Sequence, residues 1–73
     1  MYKICDLPLS EVVSDENFLM QSYKVQCLWF HMFSRADANR VVNDTYMITY
    51  VLDCDKSDLD TLEMNGFIHN VTV

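Results

Sequence analysis

The side chains best suited to nucleophilic or metal chemistry in this sequence are two histidines and three cysteines. Cys27 and His31 stand four residues apart in a run of aromatic and β-branched residues that we interpret as a strand. Along a strand they would lie about 13 Å apart, which is too far to share a proton or a metal ion. His69 could approach either residue only through tertiary folding. We therefore expect no Cys-His nucleophile pair.

The cysteines Cys5, Cys27 and Cys54 are widely separated, and none belongs to a C-x-x-C pair of the kind used by zinc and redox sites. We interpret them as reduced and mostly buried thiols, as is usual in the cytosol. The N-terminal segment lacks the long apolar run and the cleavage site of a signal peptide. No stretch approaches the roughly 18 apolar residues of a membrane-spanning helix. We expect a cytoplasmic location, in the host cytoplasm if the protein is viral.

Five acids form the densest charged group of the sequence: Asp53, Asp55, Asp58, Asp60 and Glu63. Their spacing only loosely resembles the start of a calcium-binding loop, because no glycine follows at the sixth position and no glutamate at the twelfth. We therefore expect no metal site. Two interpretations stay open, a solvated acidic face and a patch that docks on arginine or lysine side chains of a partner protein.

Motifs of known catalytic sites are absent from the sequence. It contains no G-x-S-x-G nucleophile elbow and no H-E-x-x-H zinc motif. Gly66 is the only glycine, so no glycine-rich loop could cradle a phosphate. We expect neither enzyme activity nor a cofactor, and we assign no catalytic residue.

Residues 23–53, the central part of the chain, are expected to form the strands and the helix that position any functional site. Residues 23–33 and 45–53 are predicted as strands, and residues 34–44 as a helix that Ser34 caps and that packs over them. In this helix Ala38 is expected to face the sheet and Arg40 to face solvent. An alternative is one long helix that runs from residue 9 through the first of these two segments.

The outer parts of the chain complete the predicted fold. Residues 2–6 are predicted as a first strand and residues 9–21 as a helix capped by Ser10 or Ser14. Ser57 is expected to cap a short helix that ends at Asn65 and Gly66, and residues 67–73 are predicted as a last strand. Residues 1–73 would then form a single α+β domain, a two-layer sandwich in β-α-β-α-β-α-β order. Its sheet would have about four strands, with a tight parallel crossover possible in the middle.

Both faces of the predicted strand at residues 23–33 are apolar. Trp29 and Phe33 are expected in the core, whereas Leu28, Phe30 and Met32 would point the other way, because side chains alternate along a strand. A chain of 73 residues has little material to cover a second face. These three residues are therefore either covered by a curled sheet or part of a protein interface.

The formal charge of −6 disfavours nucleic acid and anionic membranes as partners, and it favours a protein with a basic surface. We expect a binding module that blocks or redirects another protein. Small, acidic, glycine-poor and motif-free proteins of this kind are similar in type to the accessory proteins with which bacteriophages inhibit host defence or transcription machinery. Nucleic-acid mimicry is one form of this hypothesis.

Two alternatives to a blocking module stay open. One is a homo-oligomeric structural or assembly subunit, for which a homodimer is possible. The other is a regulatory module in which two chains pair their sheets around a small ligand, although the sequence shows no polar pocket for it.

Overall fold

The computed structural model of the protein describes residues 1–71, where five helices and one three-stranded antiparallel sheet form an α+β domain. The strands are β1 (Tyr2–Ile4), β2 (Val41–Val42) and β3 (Ile68–Asn70). The helices are α1 (Leu9–Ser14), α2 (Glu16–Leu19), α3 (Tyr23–Arg35), α4 (Thr45–Leu52) and α5 (Lys56–Met64). The α+β class is as predicted, but the fourth strand and the predicted order of elements are not found in the described residues.

Strand β1 lies at the centre of the sheet, with β2 and β3 antiparallel to it on its two sides. The structure confirms the first predicted strand over Tyr2–Ile4 and the last over Ile68–Asn70. Residues 72–73, which belong to the predicted last strand, lie outside the described residues. Since both pairings are antiparallel, the parallel crossover that the sequence left possible does not occur. The register pairs Tyr2 with Val42 and Asn70, and Ile4 with Ile68.

Residues 23–33, predicted as a strand, form most of helix α3, so this prediction is wrong. Ser22 caps the helix, because its hydroxyl accepts a hydrogen bond of 3.2 Å from the Val25 amide. The buried side chains recur every three or four residues, as on one face of a helix: Val25, Leu28, Trp29 and Met32. Burial of this stripe outweighs the modest strand preference of aromatic and β-branched residues.

Residues 45–53 are also helical, and their prediction as a strand is wrong. Large apolar residues at even-numbered positions favour a strand, but the structure buries only Thr45 and Ile48, which are three residues apart. The helix ends at Asp53, whose backbone is left-handed at φ 56°. The Asp53 amide donates to the carbonyls of Thr49 and Tyr50, and the Cys54 amide donates to the Thr49 carbonyl at 2.8 Å, so these carbonyls at the end of the helix have partners.

Residues 34–44, predicted as a helix over the sheet, form the end of α3, a turn and β2. The Asp37 carboxylate holds the turn by accepting hydrogen bonds from the amides of Asn39 at 2.8 Å and Val41 at 3.0 Å. Ala38 is exposed rather than packed on the sheet. The prediction is wrong because an aspartate side chain offers the backbone a local alternative to the helix.

Arg40, predicted to point to solvent, instead ties this turn to the start of the chain. Its backbone is left-handed at φ 66°, and its carbonyl accepts a hydrogen bond of 2.8 Å from the Ile4 amide. Its guanidinium donates through Nε to the Cys5 carbonyl at 2.8 Å and through Nη2 to the Leu7 carbonyl at 3.0 Å. Hydrogen bonds from a charged donor are stronger than neutral ones, so we infer that Arg40 stabilises the fold.

Replacing Arg40 by alanine is expected to lower the free energy of unfolding by about 1–2 kcal/mol, because charge-assisted hydrogen bonds to two carbonyls are lost. The Arg40→Gly variant loses the same bonds but relaxes the left-handed backbone, so it should be the less destabilised of the two. Urea denaturation of both variants and the wild type measures the difference. An Arg40→Ala protein with wild-type stability would show that the guanidinium contributes nothing.

The predicted helix of residues 9–21 is divided into α1 and α2, so a single helix that continues through the aromatic segment is wrong as well. The division is at Asp15, whose backbone is extended at φ −70° and ψ 128°. The Asp15 carboxylate caps α2 by accepting a hydrogen bond of 2.8 Å from the Asn17 amide. Ser14, a predicted cap, instead donates its hydroxyl to the Ser10 carbonyl at 2.7 Å.

Helix α5 is close to its prediction. Its cap is Asp55 rather than Ser57, and the side chains of Asp55 and Asp58 each accept a hydrogen bond from the other residue's amide in a reciprocal capping box. The chain leaves the helix through Asn65 and Gly66, which has φ 78°. This left-handed turn confirms the predicted helix end.

The core is built around Trp29, which has no exposed surface. Its ring packs edge-on against Phe18 at 5.4 Å and stacks on Phe33 at 5.2 Å between ring centroids. The indole nitrogen donates a hydrogen bond of 3.1 Å to the Phe67 carbonyl, so the one polar atom of this side chain is satisfied. Trp29 therefore joins α2, α3 and the residues that lead into β3.

Candidate functional site

Helix α4 carries large apolar side chains on its outer side as well as on its inner side. The outward residues are Tyr46, Met47, Tyr50 and Val51, with exposed fractions of 82%, 54%, 75% and 70%. We call these four residues the α4 face. A surface helix normally turns polar residues to solvent, and a helix that is apolar all round is normally covered. This half of α4 has no such cover within the described residues.

The spacing of the α4 face follows from the helical conformation. Thr45 and Ile48 turn inward, and the four outward residues stand at i, i+1, i+4 and i+5 on the opposite side. Helix α4 packs against α3, and the Arg35 guanidinium of α3 binds the Asp44 carboxylate at 2.7 Å, just before α4 begins. The α4 face is therefore presented by a helix that is fixed at its start and along its inner side.

An open cavity of about 420 Å³ lies along one flank of the α4 face. Its lining is mostly apolar and comes from β1, α4, α5 and the link between the two helices: Tyr2, Thr45, Tyr46, Thr49, Cys54, Asp55, Lys56 and Leu59. Tyr46 belongs both to this lining and to the α4 face. The volume is in the range of roughly 300–1,000 Å³ that small-molecule sites occupy.

The other flank of the α4 face is a narrow groove of about 70 Å³ between α3 and α4. Met47 and Val51 of the α4 face line it, together with His31 and Arg35 of α3. The α4 face thus continues into a depression on each side. Depressions of this kind are typical of surfaces that bind other molecules, because a bound molecule can pack into them more closely than onto a smooth convex helix.

Most of the cationic side chains of the protein form ion pairs or hydrogen bonds within the molecule. Three ion pairs join Lys24 to Asp58 at 3.9 Å, Arg35 to Asp44 at 2.7 Å and Lys56 to Asp60 at 3.2 Å. Arg40 is bound to backbone carbonyls. Three of the eleven acids are thus paired, and the other eight form no ion pair within residues 1–71. The surface is therefore left with unbalanced negative charge.

The five acids of the predicted acidic patch have different structural roles. Asp53 ends α4 and is exposed beside the α4 face, where it forms no ion pair within residues 1–71. Asp55 and Asp58 cap α5, while Asp60 pairs with Lys56. Hydrogen bonds, first from the Ser57 hydroxyl and then from the Asp58 amide, lower the pKa of Asp55, so this carboxylate is charged at neutral pH. The fifth residue, Glu63, lies half-buried near the end of α5.

The predicted apolar site residues are separated by the helical conformation of α3. Leu28 and Met32 are fully buried, so in this fold they have no surface with which to contact a partner. Phe30 is 41% exposed and packs edge-on against Phe18 at 5.8 Å. In the helix Leu28 and Met32 share the buried face and Phe30 turns away from them, so the three residues do not form one surface as predicted. Only Phe30 stays accessible, and its contact with a partner stays a prediction.

The residues of the α4 face are absent from the predicted site. Their sequence, TYMITYVL, also fits a helix, in which Tyr46 and Tyr50 stand one turn apart and Met47 and Val51 do the same. Placed on a helix, this segment has more large apolar side chains than a single buried face can hold. That surplus is the signal that could have located the site.

Cys27 and His31, expected about 13 Å apart on a strand, stand one turn apart on the exposed side of α3. All three cysteines are unpaired thiols, with Cys5 buried, Cys54 half-buried and Cys27 exposed. The expectation of burial is therefore wrong for Cys27. Within residues 1–71 no three His, Cys, Asp or Glu side chains are grouped so that they could hold a metal ion.

The three thiols are expected to react with an alkylating reagent at different rates. Cys27 should react first and Cys5 only on unfolding. Burial, and then the Asp58 carboxylate, raise the pKa of the Cys54 thiol, so its reaction should need a higher pH than an ordinary thiol. Peptide mass spectrometry after timed iodoacetamide treatment at several pH values resolves the three sites. Equal rates in the native protein would contradict this order.

The chain matches no protein-family model, no curated protein and no solved structure. Among the helices of residues 1–71, none combines the length and the apolar character needed to cross a membrane. Any interpretation of the α4 face therefore depends on its own geometry and charge.

Proposed function

We propose that this protein is a binding module that holds a partner protein against the α4 face and thereby blocks or redirects it. The observation that carries the proposal is the exposure of four large apolar side chains on one side of an eight-residue helix. Two are tyrosines and one is a methionine, residue types that are enriched in protein interfaces. Tyrosine is also one of the residues that most often dominate the binding energy of an interface.

The charge of the molecule favours a partner with basic residues. Eight of the eleven acids form no ion pair within residues 1–71, and Asp53 stands at the end of the α4 face. The carboxyl-terminal end of α4 adds the partial negative charge of the helix dipole at the same place. Two copies of a chain with charge −6 repel each other, so self-association is the less favoured use of this surface.

A small domain can block a partner simply by covering its working surface. A standard protein interface buries about 800 Å² on each side. That would be roughly one sixth of the 4758 Å² that this protein exposes. The α4 face, its two flanking depressions and Asp53 together would supply such an area. We propose that the protein acts in this way as an inhibitor of the bacteriophage type, with host defence or transcription machinery as the class of target.

Site-specific photo-crosslinking tests the proposal and identifies the partner in the same experiment. A photoreactive phenylalanine analogue is placed at Tyr50 of the α4 face or, as a matched control, at Tyr23, which is 90% exposed at the start of α3. Tyr23 lines neither the cavity nor the groove that flank the α4 face. In cells of the native host, position 50 should give one discrete crosslinked protein and position 23 none.

Two other results would overturn the proposal. Crosslinking of equal strength from both positions would mean that exposed aromatic residues capture proteins without specificity. A product that contains only two copies of this chain would identify the α4 face as a contact of a homo-oligomeric subunit instead.

A further inference from the structure

The geometry points to the 420 Å³ cavity beside α4 as the socket for one aromatic side chain of the partner, with a lysine or arginine next to it in the partner's sequence. This inference rests on the proposed function and specifies the chemistry of the bound segment. The cavity opens beside Tyr46, so a chain that lies on the α4 face can reach it. Aromatic anchors seated in pockets are what most often dominates the binding energy of an interface.

The charged groups and threonine hydroxyls of the cavity disfavour a negatively charged occupant. The Thr45 and Thr49 hydroxyls already donate to backbone carbonyls, at 3.4 Å and 2.9 Å, so they offer a ligand only acceptor lone pairs. The Asp55 carboxylate has a lowered pKa and carries a negative charge. The ammonium group of Lys56, the one cation in the lining, is held by Asp60 at 3.2 Å.

An apolar ring with a hydrogen-bond donor therefore fits the cavity better than an anionic group does. Tryptophan has this chemistry, because its indole N–H can donate to a threonine hydroxyl oxygen while its ring covers Leu59. A basic residue beside the tryptophan would come near Asp55, which lines the cavity, and Asp53 lies two residues before it in the chain. Neither acid forms an ion pair within residues 1–71. The partner segment is thus recognised by an aromatic residue and a neighbouring cation together.

Blocked dipeptides probe the cavity directly. Acetyl-Trp-Arg-amide is titrated into the ¹⁵N-labelled protein and compared with acetyl-Trp-Glu-amide and acetyl-Ala-Arg-amide. We expect amide shift changes centred on Thr45, Thr49, Cys54 and Leu59, the residues that line the cavity. The Trp-Arg probe should bind at least about fivefold more tightly than the Trp-Glu probe, and the Ala-Arg probe should bind least.

A matched pair of variants locates the binding. Thr49→Trp fills the cavity from inside and should abolish the shifts, whereas Thr49→Val removes only the hydroxyl and should retain most of them. If Thr49→Trp does not fold, protection of Cys54 from iodoacetamide by the Trp-Arg probe, measured in a Cys27→Ser protein, gives the same information. No shifts, shifts away from the cavity, or unchanged binding by folded Thr49→Trp would each overturn the inference.

Failure of this inference and failure of the proposed function are distinguishable. The photoreactive residue at position 50 can be combined with Thr49→Trp in one folded protein. If this protein still crosslinks to the partner, the α4 face binds the partner without use of the cavity. If the protein with an unaltered cavity binds the Trp-Arg dipeptide but gives no crosslinked partner from position 50, the cavity is a ligand site of its own and the proposed function fails.

Discussion

Replacement of Trp29 by alanine is expected to destabilise the domain by about 3–5 kcal/mol, because it removes the largest fully buried side chain and leaves a cavity. The indole also packs against the rings of Phe18 and Phe33, and its N–H donates a hydrogen bond of 3.1 Å to the Phe67 carbonyl. A domain of 73 residues has little stability to lose. The variant should therefore be largely unfolded at 25 °C.

Phe30→Ala provides the matched control, because Phe30 is the next residue of α3 and is 41% exposed. We expect this change to cost about 1 kcal/mol or less, since the phenylalanine ring makes only edge contacts with its aromatic neighbours. Urea denaturation followed by tryptophan fluorescence and circular dichroism measures Phe30→Ala, and circular dichroism alone measures Trp29→Ala. Comparable losses for the two variants would mean that α3 is rotated relative to the core.

The elements that the sequence predicts correctly are those whose signals are local. An aspartate-rich start and an Asn65-Gly66 end place α5, because capping and left-handed turns depend on a few adjacent residues. The short strands β1 and β3 lie within predicted strands for a similar reason, since Pro8 and Gly66 limit them. Even here, the choice of Asp55 over Ser57 as the cap could not be made from residue types alone.

The two long central segments are mispredicted because their residue preferences and their packing disagree. Residues 23–33 and 45–53 are rich in aromatic and β-branched side chains, which favour strands by a modest margin. Burial of Trp29 and its neighbours on one helical face contributes far more free energy than that margin. The partners for this burial come from other parts of the chain, such as Phe18 and Phe67, and no local pattern reveals them.

The sequence predicts exposed apolar surface but not its position in the chain. The sequence predicts surplus apolar surface on the segment that contains Leu28 and Met32, but both side chains are buried in the core. The structure has the surplus on α4, where Tyr46 and Tyr50 turn outward. When a segment is a helix instead of a strand, its inward and outward residues are redistributed: Leu28 and Met32 turn inward, while Trp29 lies in the core as predicted.

Simultaneous replacement of Tyr46 and Tyr50 by serine is expected to weaken partner binding by at least about 100-fold, or 2.7 kcal/mol, because both aromatic anchors of the α4 face are lost. The fold should be unaffected, since these side chains are 82% and 75% exposed. Removal of exposed apolar surface should, if anything, reduce aggregation. The thermal unfolding midpoint of the double variant should therefore stay close to that of the wild type.

The most direct measurement is the dissociation constant of the crosslinked partner, once purified, for three proteins: the wild type, the double Tyr46→Ser and Tyr50→Ser variant, and Tyr23→Ser. Tyr23 is as exposed as the α4 tyrosines but lies at the start of α3. If the α4 face is the binding surface, the double variant loses about 100-fold in affinity and Tyr23→Ser stays within about twofold of the wild type. A folded double variant that binds as tightly as the wild type would contradict this account.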